Sequence, residues 1–284
     1  EVMHLEISLG YQHRGIESLL QGGPHTASIY QLETVAGDTT IGHAVAYSQL
    51  IESLSGAVVS PRATTIRSIA LELERLANHV GDIGALAGDV GFLPTASFCG
   101  RLRGDYLNLS AELCGSRFGR GLVRPGGVHF DLDPALVEKL SQRLEVLAAE
   151  TRGAIELCFD SPSVLARFEG TGKVSTEDAE TLGLVGVAAR ASGLVRDARL
   201  HHPFGDNGNG FEPPEIETDG DVFSRGNVRR REIYASHQML KDTLKKVPSG
   251  AIKIDLPPLE PETLAVSLCE GWRGELVHIG LTDA

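Results

Sequence analysis

The chain has 284 residues, of which 42% are hydrophobic and 23% are charged, and 38 acidic against 26 basic side chains give a net charge of −12. This acidic balance argues against nucleic acid as the main partner, because phosphate binding requires a basic surface. No apolar run reaches the roughly 18 residues of a transmembrane helix, and the first residues lack the pattern of a signal peptide.

The four cysteines are widely separated in the sequence, at Cys99, Cys114, Cys158 and Cys269. No two of them form a CxxC pair, which is the usual basis of a thiolate metal site. A lone cysteine is more often a small buried hydrophobic residue than a ligand. The sequence therefore favours buried cysteines over a disulfide framework or an all-cysteine metal site.

The N-terminal part begins with a predicted strand over residues 1–10, in which apolar side chains recur. A short helix follows and ends at two glycines, Gly22 and Gly23. The turn AGDTTIGH, residues 36–43, precedes a predicted helix over 40–56. A turn with one aspartate and one histidine at the start of an apolar helix is typical of the rim of a site.

The most regular element is a long helix that ends near Gly91. Ser60 provides an N-cap and Pro61 occupies the first helical position. Apolar residues follow a spacing near 3.6, at Ile66, Ile69, Leu73, Leu76, Val80 and Ile83. A polar stripe lies opposite, at Ser68, Glu72, Arg75, His79 and Asp82. On an arbitrary helix such a stripe is a solvated face.

The remaining elements are again mostly helical. Helices are predicted over about 97–119 and from Asp133-Pro134 to about 158, and a third over 220–247. Residues 159–220 are predicted to be irregular. Two strands within 263–281, joined at EGWRGE, read as a hairpin. The fold class is therefore mainly α with minor β.

Other sequence features concern the loops. The segment HHPFGDNGNGFEPPEIETDGD, residues 201–221, is predicted to be a long surface loop. Neither a GxGxxG nor a Walker motif occurs, so nucleotide binding has no sequence support. Charged residues lie beside glycine in HRG at 13–15, GDVG at 88–91 and RPGG at 124–127, where backbone can approach closely. Each motif alone is common in turns, but the order of the three along the chain is more specific than any one of them.

The chain resembles the large subunit of group 4 membrane-bound nickel–iron hydrogenases, of the hydrogenase-4 and formate hydrogenlyase type, and the homologous 49 kDa subunit of respiratory complex I. Six segments carry the resemblance, in the order LGYQHRGIESLL, RSIALELERLANHVGDIGALAGDVGF, LCGSRFGRGLVRPGGVHFDL, ARASGLVRDAR, GDVFSRGNVRRREIYASHQML and EGWRGELVHIGLTDA. It implies a single domain over 1–284 with the helical fold of that family. It also implies that the sequence is a fragment without the family's N-terminal loop and C-terminal segment.

The resemblance bears on metal binding through the turn before the second predicted helix. In the metal-bearing members a segment RICGICxxxH provides two thiolates to nickel and iron. His43 and Gly37 match its histidine and glycine, but Ala36 and Thr39 stand at the thiolate positions. Alanine has no donor atom, and a threonine hydroxyl is a poor ligand for a soft metal. We therefore expect no metal in this chain.

The complex I branch uses the corresponding cavity for quinone. Its quinone-binding tyrosine aligns near Gly37, and its partner histidine falls before residue 1, so neither donor is found here. Arg14, preceded by His13, matches an arginine that approaches the terminal iron–sulfur cluster of the neighbouring small subunit. A second histidine near that cluster aligns with Leu86. A fixed cation beside a cluster raises its reduction potential.

Other matched positions concern the cavity wall. Glu72, Arg75, His79 and Asp89 match the long helix of the family, where the resemblance implies buried ion pairs that line the cavity. The alternative is that these charges only hold helices in register. Arg273 lies in a segment near the old metal cavity, as a cavity cation or a structural pair partner.

Two functions follow as expectations. In the first, the chain passes electrons between a [4Fe–4S] cluster of a partner small subunit and an acceptor such as quinone, within an NADH:quinone oxidoreductase-type or hydrogenase-like complex. Asp38 and His43 would then exchange protons beside Arg273, because both groups titrate. The chain would bind no cofactor of its own except quinone, and would lie peripherally on the cytoplasmic side of the membrane, held by partner subunits. In the second, it is a non-catalytic scaffold or coupling subunit of such a complex.

Overall fold

The structure, a computed structural model, describes residues 3–205 and 216–283. Residues 206–215, in the middle of the predicted surface loop, therefore lie outside the described part. Residues 3–10 have no regular secondary structure, and their apolar side chains are exposed. The strand predicted over 1–10 is therefore wrong for these residues, because no neighbouring strand within the described part pairs with them.

The long helix is α4, Pro61–Asp89, and it lies at the centre of the fold. The Ser60 hydroxyl accepts a hydrogen bond from the backbone N–H of Ala63, which confirms the predicted N-cap. Two helices, α5 (Leu93–Cys114) and α11 (Val222–Leu244), pack along it. Helix α4 is thereby buried around most of its circumference, including most of its polar stripe.

The other long helices surround this centre. The predicted helix over 40–56 is confirmed as α3, Thr40–Leu54, and two short helices precede it, α1 (Ile16–Leu19) and α2 (Ser28–Leu32). Helix α6 spans Pro134–Phe159, and the Asp133 side chain caps its N-terminus by accepting from Leu136 N. The sequence located the start of α6 correctly because the cap and the proline are local signals.

The segment predicted to be irregular contains four short helices. They are α7 (Pro162–Phe168), α8 (Thr176–Thr181), α9 (Gly186–Ala191) and α10 (Ala198–His201). None has more than two turns, so none shows the apolar period that identifies a helix in sequence. Two are held by side-chain caps, in which Ser175 accepts from Asp178 N and Asp197 accepts from Arg199 N.

Two small antiparallel sheets complete the fold. Strands β1 (Val123–Arg124) and β2 (Gly127–Val128) lie between α5 and α6. The predicted C-terminal hairpin is confirmed as β3 (Leu264–Glu270) and β4 (Glu275–Leu281), and Glu270 pairs with Glu275 beside the turn. The hairpin packs on α3, where the Ser267 hydroxyl donates to Ala46 O at 2.6 Å.

The main hydrophobic core runs from α3 through α4 and α5 to α6 and α11. All four cysteines are buried and free, as the sequence predicts. The mainly α fold with minor β is confirmed. No helix in residues 3–205 or 216–283 combines the length and the apolar content that crossing a bilayer needs.

Candidate functional site

The turn before α3 is clamped between α4 and the tip of the β3–β4 hairpin. The backbone oxygen of Asp38 accepts from Asn78 Nδ2 and from Trp272 Nε1, each at 2.9 Å. The Asp38 carboxylate accepts from the Arg273 guanidinium at 2.6 Å and from the Thr39 hydroxyl at 3.0 Å. Two predicted catalytic residues, Asp38 and Arg273, therefore form an ion pair.

The N-terminus of α3 is capped from a distance by Glu74 of α4. The Glu74 carboxyl accepts from the backbone N–H of Ile41 at 2.7 Å and of Gly42 at 3.1 Å, while Thr39 makes no side-chain cap. Burial raises the pKa of Glu74 to about 8, although the two backbone donors oppose the shift. Sequence reasoning missed this residue, because only the packing of α4 against the turn reveals the cap.

The hairpin tip closes against the start of α9. A Cβ atom on Gly186 would lie 1.9 Å from the carbonyl oxygen of Arg273, so only glycine permits this approach. The Arg273 guanidinium lies 4.1 Å from the centroid of the Trp272 ring. The tip is therefore held from both sides, by α9 and by the Asp38 turn.

His43 faces a different space from Asp38. A cleft of about 560 Å³ lies between α1, α3 and β4, and His43, Tyr47 and His278 all line it. His43 Nδ1 and His278 Nε2 are 3.1 Å apart, within hydrogen-bond distance. Burial lowers the pKa of both imidazoles, that of His278 to about 4, while Asp38 partly offsets the shift at His43. The predicted catalytic residues thus divide between two faces of one turn.

The polar stripe of α4 is buried from Ser68 to His79 and only Asp82 is part-exposed, so the stripe is not a solvated face. Arg75 Nε contacts Glu72 at 3.1 Å, and Ser236 of α11 donates to Glu72 at 2.6 Å. The same guanidinium donates to the carbonyl oxygens of Glu270 at 2.7 Å and of Gly271 at 3.0 Å. Arg75 therefore fixes the base of the hairpin tip.

The network continues through residues that the sequence reasoning did not single out. Glu232 of α11 contacts His79 Nε2 at 2.8 Å and Arg190 at 2.6 Å, and Arg190 contacts Glu270 at 2.9 Å. Burial alone would raise the pKa of Glu232, but Arg190 and the bond from His79 hold it well below its usual value. Burial raises the pKa of Glu270.

The network also reaches α10, where Asp197 pairs with Arg199 at 2.6 Å and with Arg190 at 3.2 Å. Within the described residues it holds three guanidinium groups, of Arg75, Arg190 and Arg199, and four carboxyl groups, of Glu72, Asp197, Glu232 and Glu270. Burial raises the pKa of Glu270, whereas Arg199 and Arg190 lower that of Asp197.

Three predicted cofactor-binding residues lie apart from this network. Asp89 is exposed at the end of α4, about 15 Å along the helix axis from His79, so the expectation of a buried ion pair is wrong for it. His13 and Arg14 are exposed too. The Arg14 guanidinium donates to the carbonyl oxygens of Thr34 and Val35 and so anchors the N-terminal segment.

Comparison with known proteins agrees with the resemblance. The family model for the 49 Kd subunit of respiratory-chain NADH dehydrogenase matches residues 89–270. NADH-quinone oxidoreductase subunit 4 of Thermus thermophilus is 35% identical over 262 residues, which cover 92% of this chain and 64% of that protein.

Two further relatives are similar over nearly the whole chain. A carbon monoxide-induced hydrogenase of Rhodospirillum rubrum is 31% identical over 279 residues, covering 98% of this chain and 77% of the relative. Formate hydrogenlyase subunit 5 of Escherichia coli is 29% identical over 284 residues, which is 50% of its own length. The chain thus spans between half and about three quarters of these relatives. It belongs to the family of the 49 Kd subunit of respiratory-chain NADH dehydrogenase.

Proposed function

We propose that this chain is the electron-transferring large subunit of a membrane-associated oxidoreductase of the complex I or hydrogenase type. It passes electrons from an iron–sulfur cluster of a partner small subunit to an acceptor such as quinone. The observation that carries the proposal is the open cleft at His43. Family membership supports the class of complex, since relatives are named as NADH-quinone oxidoreductase and hydrogenase subunits.

The cleft has the size and lining that an apolar acceptor with a polar head needs. Its volume of about 560 Å³ lies within the usual range of roughly 300–1,000 Å³ for small-molecule sites. Leu50, Ile51 and Leu54 line one wall, and the polar lining includes His43 and His278. Carbonyl oxygens of a quinone would meet the imidazoles while its ring contacts the aliphatic side chains.

The residues at the turn do not fit a nickel–iron centre. Ala36 offers no ligand, and the Thr39 hydroxyl donates to the Asp38 carboxylate. Soft metals of this kind require thiolates, and all four cysteines are buried elsewhere in the chain. We propose that the chain works without its own metal centre, and stoichiometric nickel in the purified complex would contradict this.

The partner subunit is proposed to approach the surface around Arg14. The guanidinium is exposed and fixed to two backbone carbonyls, so it can present a permanent charge to a neighbouring [4Fe–4S] cluster. Replacing Arg14 with Met should lower the reduction potential of that cluster. The chain is proposed to lie peripherally on the cytoplasmic side of the membrane, and to contact it only through partner subunits.

One observation favours the second function, a non-catalytic scaffold. On the Asp38 side the turn is filled rather than open, because Asp38 pairs with Arg273 and its backbone oxygen is taken by Asn78 and Trp272. Such a closed arrangement suits a role in holding subunits together. The two functions therefore differ in whether the cleft on the His43 side binds an acceptor.

A photoreactive quinone tests this on the assembled complex. We expect light-induced labelling of α3 and β4 peptides, with competition by an unreactive short-chain quinone. His43→Gln should reduce the rate of quinone reduction by about 10²-fold or more, the usual contribution of a general acid or base. The control is His129→Gln, at an exposed histidine that does not line the cleft. Absent labelling together with normal turnover in His43→Gln would establish the scaffold instead.

A further inference from the structure

The two histidines of the cleft form a pair that spans two distant parts of the sequence. His43 lies on the first turn of α3 and His278 at the middle of β4, 235 residues apart. Their rings are tilted by 42°, with centroids 5.4 Å apart, and Nδ1 of one approaches Nε2 of the other at 3.1 Å. The hairpin packing on α3 creates this contact.

The hydrogen bond between the two rings limits the number of protons that the pair can hold. A bond between two ring nitrogens needs one N–H donor and one unprotonated acceptor, so at least one imidazole stays neutral while the contact lasts. A second charge would place two N–H groups against each other and break the contact. The pair therefore carries either no charge or one positive charge.

The groups around the pair favour the neutral state at rest. Both rings are half-buried, which penalises the charged form, and each positive ring would repel the other. Asp38 lies close enough to His43 to oppose this effect, but its carboxylate is already paired with Arg273. Among the residues that the structure describes, Glu17 of α1 and Tyr47 of α3 are the other titratable groups that line the cleft.

We infer that His43 and His278 act as one proton-holding unit in the wall of the cleft, and that His278 is the second proton-exchanging residue of the site. The unit takes up one proton from water when negative charge appears in the cleft, and it releases one proton to the group that carries this charge. Sequence reasoning assigned this role to His43 with Asp38, whereas the geometry pairs His43 with His278.

The role of this histidine unit in catalysis rests on the proposed function. Reduction of a quinone to a quinol consumes two electrons and two protons. The electrons would come one at a time from the partner's iron–sulfur cluster. The histidine unit would deliver the two protons in two cycles, and water would reload it after each one. The existence of the unit itself does not depend on the acceptor.

Exchange of the imidazole C2 hydrogen, followed by mass spectrometry over a range of pH, gives the pKa of each histidine in the assembled complex. We expect His43→Gln to raise the pKa of His278 from about 4 towards 6.5, since a like charge and part of the burial are removed. His278→Gln should raise the pKa of His43 in the same way, and His129→Gln should change neither.

Unchanged pKa values for the remaining histidine in both cleft variants would overturn the inference. If the variants do not fold, the wild-type complex still decides it, because two independent titrations near 6.5 would contradict a shared proton. A short-chain quinone added to the wild type separates the two proposals. If the two histidines titrate as a coupled pair and the quinone does not change their pKa values, the result supports the proton-holding unit and counts against the acceptor site.

Discussion

Two groups of charged side chains lie on opposite sides of the hairpin tip, and they are built differently. The buried network around Glu232 is closed to water, and its Arg75 and Arg190 guanidinium groups contact carboxylates of other helices or of the hairpin. The rim around Asp38 and His43 is partly exposed and relies on single contacts, such as the Asp38–Arg273 pair.

The difference separates charged groups that hold the helices in place from charged groups that can exchange protons. Buried ion pairs are costly to form and costly to break, so the network fixes the positions of α4, α9, α10, α11 and the hairpin. The rim groups have access to solvent and can change protonation without leaving a buried charge unpaired. The interior thus positions the tip, while the rim provides the groups that can exchange protons.

The largest expected effect tests the interior. Glu232→Ala leaves the buried Arg190 and Arg75 without their shared carboxylate and should lower the free energy of unfolding by about 3–5 kcal/mol. Glu150→Ala, which breaks an exposed pair with Arg101, should cost about 0–1 kcal/mol. Denaturant unfolding of both variants measures the difference. Equal losses would show that the network is no more important than a surface pair.

The next effect tests how the tip is held. Gly186→Ala should cost about 1–2 kcal/mol for its left-handed backbone, φ +61°, and about 1–3 kcal/mol more for the clash with Arg273 O. Gly183→Ala is the matched control, because it has φ +65° but open space around it. Fluorescence of Trp272, the only tryptophan, should change in the first variant alone. A change in both would mean that backbone strain, not close packing, moves the tip.

Acid should destabilise the fold through two histidines that burial keeps neutral. Burial lowers the pKa of His278 in the cleft and of His237 of α11, whose ring contacts the Tyr106 hydroxyl, to about 4, below the ordinary value of about 6.5. The unfolded chain therefore binds protons between pH 6.5 and 4 that the folded chain does not. Stability should fall over this window by about 1.4 kcal/mol per pH unit for each such histidine.

The variant His278→Gln isolates the cleft contribution to this acid sensitivity. Its unfolding free energy should fall less steeply between pH 6.5 and 4, because His237 still contributes and His278 no longer does. Denaturant unfolding at several pH values measures the slope. A slope identical to that of the wild type would show that His278 binds protons equally well in the folded and the unfolded chain.

The smallest effect tests the rim itself. Asp38→Asn removes the ion pair with Arg273, which is more than half exposed, so the free energy of unfolding should change by no more than about 1 kcal/mol. Its backbone contacts with Asn78 and Trp272 remain, so Trp272 fluorescence should stay close to the wild type. A loss comparable to that of Glu232→Ala would mean that the rim is also structural.

The sequence predicted those elements whose signals are local. Ser60 with Pro61 and Asp133 with Pro134 marked two helix starts, because a cap and its helix lie within four residues. The C-terminal hairpin was located because its two strands and the turn between them are also adjacent in the sequence. Helices α7 to α10 were missed because they are too short for a period, and the strand over 1–10 was predicted from a pattern that finds no pairing partner in the described chain.

For the site, the sequence by itself determined which residues stand at the turn, including Ala36 and Thr39 where the family's thiolates would be, and it identified the polar stripe of α4. Only the tertiary structure decided that this stripe is buried from Ser68 to His79, that Asp89 is exposed, and that Glu74 caps α3. It also decided that His43 meets His278 rather than Asp38. The reason is that such contacts join residues up to 235 positions apart, and no periodicity or spacing along a chain encodes which helix faces pack together.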